Sequence, residues 1–173
     1  MLYPYICPVY HVYFMSYNPE IHHRRSIRLQ GYDYTNTGIY FVTICCHQRH
    51  HLFGEIENGE MEINVTGQIV SHLWQKIPHH FPMAELDEFI LMPDHLHGII
   101  VFPESKDNRS LAHIVQNFKS ISSRKINRIN KNYGVSIWQR NYYERIVRTE
   151  EELKNLREYI RNNPASWRDR KTE

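Results

Sequence analysis

From Gly38 onward, apolar residues recur at two different spacings, and the switches between them outline the elements. Ile39-Tyr40-Phe41-Val42-Thr43-Ile44-Cys45 is a run of aromatic and β-branched residues that reads as a buried strand. Leu52 to Ile56, the turn Glu57-Asn58-Gly59 and Met61-Glu62-Ile63 form a small hairpin around an Asn-Gly pair. Ile69, Val70, Leu73, Trp74 and Ile77 then fall at helical spacing, predicting a helix over 66–77 that Pro78 ends. Phe89 to Met92 reads as a strand, Pro93-Asp94 as a turn, and His95 to Phe102 as the next strand. After a polar loop at 103–109, Ser110 caps a long helix carrying Leu111, Ile114, Val115, Phe118, Ile121, Ile126 and Ile129 on one side. Ile137-Trp138 and Tyr142 to Val147 read as short strands. Thr149 opens a last helix, with Glu152 completing a capping box and Pro164 marking the end.

Strands, helix, strands, helix, with no glycine-rich βαβ unit, predict an α+β domain built on an antiparallel sheet with packed helices. The chain has 173 residues, enough for one domain with a real core. Residues 37–167 form that domain, 1–36 an N-terminal extension and basic arm, and 168–173 a polar tail. Within the extension, residues 1–14 contain Pro4 and Pro8 and no Lys or Arg. That fits neither a secretory signal nor a span, and Met15 is the expected start. With 41% hydrophobic and 23% charged residues, wholesale disorder is excluded. No run of apolar residues is long enough for a spanning helix, so no membrane role is expected. Three cysteines (Cys7, Cys45, Cys46) make no disulfide framework, which predicts a cytoplasmic protein.

The net charge of +2 conceals an asymmetry. Residues 1–103 hold 5 Lys/Arg against 10 Asp/Glu, while residues 104–173 hold 16 against 9. A basic half of this kind suggests an anionic partner, with nucleic acid ahead of a membrane surface.

The densest chemistry lies in Pro93-Asp94-His95-Leu96-His97-Gly98. On a strand, residues i and i+2 share a face, so His95 and His97 aim two imidazoles at one point. They are either two metal ligands or a hydrogen-bonded pair near a strand end. On the last helix, Leu153, Leu156 and Ile160 make the buried stripe. Tyr159 and Asn163 stand one turn apart at its edge, where a phenol and a carboxamide could join the same site. By spacing alone the plainer reading is a half-buried tyrosine and a helix-terminal asparagine. Tyr142 and Tyr143 are rival nucleophiles on a strand, with no ligand-type residue a turn away. His47, His50 and His51 match no zinc spacing, and Cys45 and Cys46 read as core filling.

The segments PDHLHGIIV, WQRNYYERIVR and EYIRNNP, in that order, resemble the single-tyrosine HUH transposases, in the branch of REP-associated, IS200-like tyrosine transposases. The resemblance covers roughly residues 21–167. It implies a ferredoxin-like HUH fold, with His95-Leu96-His97 as the His-hydrophobic-His motif. It also implies Tyr159 as nucleophile, and Mg²⁺ or Mn²⁺ held by His95, His97 and Asn163. The implied enzyme is a DNA endonuclease and strand transferase that cuts and rejoins hairpin-containing single-stranded DNA through a 5′-phosphotyrosine, without ATP. It would act as a monomer or homodimer in the cytoplasm, associated with the nucleoid. DNA contacts are expected from Arg24, Arg25 and Arg28 on the arm, and from Lys119, Arg124 and Arg128 on the long helix. Arg140 and Arg145 would add to them, with Tyr142 stacking on unpaired bases. Two alternatives remain at this point: a domesticated protein that binds such hairpins without cutting, and a metal-dependent nuclease using water.

Overall fold

The computed structural model describes residues 37–103 and 110–167. Its elements in chain order are β1 (Gly38–Cys45), β2 (Gly54–Glu57), β3 (Glu60–Ile63), α1 (Val65–Gln75) and α2 (Ile77–His80). They continue with β4 (Glu85–Met92), β5 (His95–Phe102), α3 (Leu111–Ile129), β6 (Tyr143–Val147) and α4 (Glu150–Asn162). Four strands form one sheet in the order β4-β5-β1-β6, every neighbour antiparallel, and β2–β3 is a separate hairpin. With that hairpin set aside, β1-α1-β4-β5-α3-β6 is a βαββαβ chain whose strands interleave, which is the ferredoxin-like arrangement. The predicted α+β class and fold are both observed.

Alternation along β1 and β5 explains why the sheet is covered on both sides. Tyr40, Val42 and Ile44 point one way, with Leu96 and Ile100, into a core completed by Trp74 of α1 and Ile114, Val115 and Phe118 of α3. Phe41, Ile99 and Val147 point the other way and are covered by Leu153 and Ile160 of α4. His95 and His97 alternate with Leu96 and are in phase with Ile99, so they lie on the α4 side. Gly98 faces the opposite side, where a Cβ would stand 2.4 Å from Cζ2 of Trp74. The missing side chain is what lets the indole lie against the strand.

Asn58 (φ 52°) and Gly59 (φ 81°) are both left-handed, as a two-residue hairpin turn needs. Thr149 Oγ1 accepts a hydrogen bond from the Glu152 amide at 3.1 Å. The Glu152 carboxylate accepts from the Arg148 amide at 2.9 Å, one residue earlier than the reciprocal bond of a capping box. The expected helix over 66–77 is interrupted at Lys76. Pro78 sits in the first turn of α2, where its missing N–H leaves no bond broken. Ile137-Trp138 is not a strand: Trp138 makes one isolated bridge to Cys46, and its indole N–H donates to Ser122 Oγ at 2.9 Å. Among the described residues no helix is long and apolar enough to cross a membrane. Residues 1–36, including the expected start and basic arm, and the tail at 168–173 lie outside the described residues.

Candidate active site

The site forms where the beginning of β5 passes under the end of α4. His95 and His97 are both buried, and their Nε2 atoms stand 2.9 Å apart. The other nitrogen of each ring is held. His95 Nδ1 meets Asp94 Oδ1 at 2.5 Å, and His97 Nδ1 meets Thr43 Oγ1 at 2.7 Å. Thr43 reaches this place because it is the direct antiparallel partner of His97. Asp94, buried in the turn before β5, is ion-paired with Arg49 Nε at 2.7 Å. Arg49 is brought there by two consecutive left-handed residues, Gln48 (φ 52°) and Arg49 (φ 58°), a costly backbone for side chains with a Cβ. Its guanidinium also donates to Cys45 Sγ.

With its Nδ1–H donated to the carboxylate, His95 keeps the Nε2 lone pair directed at its neighbour. Burial, then the nearby His95 and Arg49, hold the His97 imidazole well below its usual pKa, so that ring is neutral. At this separation the two Nε2 atoms share either a proton or a cation. Their separation matches the edge of an octahedron with ligands about 2.1 Å from the ion, which is about 3 Å. The two Nε2 atoms are thus spaced as adjacent donors to one metal ion would be.

Tyr159 descends from α4 onto this pair. Its hydroxyl is 3.3 Å from His97 Nε2, and its ring meets the imidazole edge-on at 5.2 Å. Phe41 stacks on His97 at 5.4 Å and braces Tyr159 at 6.2 Å, while Trp167 lies 5.7 Å from His95. Asn163, one turn beyond Tyr159, is the buried C-terminal cap residue of α4. Among the described residues no group of three His, Cys, Asp or Glu side chains is arranged to hold a metal ion.

The expected DNA-contacting residues divide. Arg124 and Arg128 on α3 and Arg140 beyond it are exposed. Arg145 is ion-paired with Glu152 at 2.6 Å. The Lys119 ammonium is engaged within the fold: it donates to the carbonyls of Gln139 (2.5 Å) and Arg140 (2.9 Å) and approaches that of Asn141 (3.5 Å). Burial of this lysine on α3 lowers its pKa. Tyr142 is partly buried against the main core, and its neighbour Tyr143 is 45% exposed. Arg24, Arg25 and Arg28 lie outside the described residues. His47, His50 and His51 are exposed in the loop after β1, and Cys46 is core with its thiol pKa pushed far up by burial.

Sequence reasoning missed Asp94, Arg49, Thr43, Phe41 and Trp167. Asp94 carried a signal, since it directly precedes the histidine motif. Thr43 and Phe41 depended on the β1–β5 register, which the pattern of one strand does not encode.

A ferredoxin-like domain whose inner strand carries His-hydrophobic-His beneath a helix-borne tyrosine defines the HUH type of DNA-processing domain. Residues 35–163 match the family described as Transposase IS200 like, and the chain belongs to that family. An uncharacterised protein of Haemophilus influenzae is 41% identical over 174 residues, covering 88% of this chain and 94% of its own. A second protein of that organism, described as a REP-associated tyrosine transposase, is 28% identical over 139 residues, covering 77% and 73%. The solved structure of a REP-associated tyrosine transposase bound to a REP hairpin has the same fold. Its TM-score is 0.60 at 22% identity, covering 79% of this chain and 72% of that one.

Proposed function

We propose that the chain is a metal-dependent single-tyrosine strand transferase acting on hairpin-containing single-stranded DNA. The observation that carries this reading is the Tyr159 hydroxyl 3.3 Å from His97 Nε2, at the mouth of a histidine pair whose remaining nitrogens are held. Tyr159 Oη attacks the scissile phosphorus in line. The new Tyr–O–P bond forms as the P–O3′ bond breaks, the phenolic proton is lost, and the departing 3′-oxygen takes one up. The phosphodiester energy is conserved in the 5′-phosphotyrosine, and attack by a second 3′-hydroxyl reverses the step on a new strand. A phenol with its pKa near 10 is a poor nucleophile at neutral pH. A divalent cation held by His95, His97 and Asn163 would supply charge stabilisation at the phosphate and the leaving oxygen. Asp94 and Thr43 keep the two imidazoles in the tautomer that binds it. Phe41 fixes the ring of Tyr159 between the sheet and its own helix.

Single-stranded hairpin DNA is supported as substrate by family membership, by the hairpin bound to the related solved structure, and by exposed Arg124, Arg128 and Arg140 in the basic half. Arg24, Arg25, Arg28 and the paired Arg145 are the further candidates. The approach of Tyr159 to His97 within one chain supports a monomer as the acting unit. The test is a covalent-adduct assay with hairpin oligonucleotides on a denaturing gel. A protein–DNA band that requires Mg²⁺ or Mn²⁺ and vanishes in Tyr159→Phe is the expected result. Cleavage that survives Tyr159→Phe would overturn it in favour of water, and tight hairpin binding with no cleavage in favour of a binding protein.

A further inference from the structure

Helix α4 presents its nucleophile from a narrow apolar footing. Leu153, Leu156 and Ile160, with Tyr159 itself, are what it lays on the sheet. Three aliphatic side chains resist lifting, but they define rotation and sliding poorly, because hydrophobic contact is non-directional. Yet the reaction depends on where along α4 the hydroxyl falls relative to His97.

Two arginine–carboxylate forks supply the missing direction. Arg157 donates from Nε to Asp87 Oδ1 at 3.0 Å and from a terminal nitrogen to Oδ2 at 2.5 Å. Arg161, one turn further along α4, donates from Nε to one Glu88 oxygen at 2.9 Å and from a terminal nitrogen to the other. Tyr159 lies midway between the two arginines in the chain. Paired forks of this kind are directional as well as attractive.

Successive strand residues normally point to opposite faces, so Asp87 and Glu88 should not both meet α4. A bulge makes it possible. Leu86 pairs with Ile100 and Phe89 with Gly98, so Asp87 and Glu88 together oppose Ile99 alone. Without the extra residue Glu88 would occupy the register position opposite Gly98, on the Trp74 side. That position is filled instead by Phe89, 6.2 Å from the Trp74 ring. The irregularity thus keeps Glu88 out of the main core and delivers two adjacent carboxylates to arginines spaced i, i+4.

We propose that Asp87 and Glu88, through Arg157 and Arg161, are positioning residues that register Tyr159 over the histidine pair. The inference rests on Tyr159 being the nucleophile. It differs from a phosphate-binding role for the arginines in a decisive respect: removing the carboxylates would then free the arginines and tighten DNA binding.

The test uses the full chain, a hairpin oligonucleotide with single-stranded flanks, and Mn²⁺. Single-turnover adduct formation at saturating DNA is compared for wild type, Asp87→Asn/Glu88→Gln, and the charge exchange Asp87→Arg/Arg157→Asp. In the neutral variant we expect DNA affinity within about twofold of wild type and an adduct rate at least about tenfold lower, as displacement of a reacting group demands. The exchange should recover most of the lost rate. A wild-type rate in the neutral variant, tighter DNA binding in it, or no recovery in the exchange would overturn the proposal. Hydrogen exchange gives a readout independent of cutting: amides of α4 should lose protection in the neutral variant while those of β5 keep theirs. Unchanged protection of α4 also overturns the proposal. If wild type forms no adduct, the assignment of Tyr159 has failed, and the hydrogen-exchange result still decides whether the forks hold the helix.

Discussion

Replacing Asp94 by asparagine keeps the side chain's shape but removes the negative charge that faces His95 Nδ1 and Arg49. The His95 tautomer is then less strongly fixed and its Nε2 less basic. Loss of such an outer partner typically lowers metal affinity about 10–100-fold. Asp94→Asn is therefore expected to weaken Mn²⁺ binding by that factor, read by titration calorimetry, while the far-UV spectrum is unchanged. Thr43→Val should weaken it less, because a neutral hydroxyl supports His97. Affinity equal to wild type in both would dissociate the polar partners from the metal site. At this scale the sequence was informative about identity and silent about company. His95 and His97 shared a face by simple alternation, and Tyr159 and Asn163 were paired by helical spacing. Nothing in a single strand could say that Thr43 stands opposite His97, nor that Lys119 would be drawn to the carbonyls of residues 139–141.

Among the elements, β5 carries the tightest constraint, because it is covered on both faces. A methyl group at Gly98 would meet the Trp74 ring at 2.4 Å, and a buried indole wedged between strand and helix has little room to yield. Gly98→Ala is expected to destabilise the fold by about 1–3 kcal/mol, as overpacking commonly does. Urea unfolding measures it, and combining the change with Trp74→Leu should cost less than the two changes added. A second expectation concerns the join of β4 to α4. The Arg157 guanidinium beside Asp87 lowers the carboxyl pKa below its ordinary 3.8. A depressed folded-state value contributes stability that is present above the unfolded pKa and is lost as pH falls through the folded one. Asp87→Asn should thus be less stable than wild type near pH 7, by up to about 1 kcal/mol for a pair this open to solvent. The gap should close below about pH 4. A gap that stays constant down to pH 2 would remove the ion pair as its cause. The elements themselves were largely legible, since caps, the Asn-Gly turn and apolar periodicity are local. The bulge at Asp87-Glu88 was not, because it answers to a helix some seventy residues away in the chain.

For the whole molecule the question is how the basic half would meet the proposed DNA substrate. Net charge locates the cations in residues 104–173 but does not distinguish those that face solvent from those occupied within the fold. The structure makes that distinction. Arg124 and Arg128 project from α3 into solvent, whereas Lys119 on the same helix is bonded to backbone carbonyls. Each phosphate neutralised by a side chain releases counterions, so its loss weakens binding across sequences and lowers the salt slope by about 1. Arg124→Gln and Arg128→Gln are expected to do this, measured by hairpin affinity between 50 and 200 mM salt. Lys119→Gln should leave the slope unchanged and instead lower stability by about 1 kcal/mol, because its hydrogen bonds to the Gln139 and Arg140 carbonyls are lost. If Lys119→Gln flattened the slope as much as the arginine changes, the ammonium would have to leave its carbonyls on DNA binding. The segment before β6 would then be rearranged in the complex. An unchanged slope in all three variants would move the DNA path off α3 altogether.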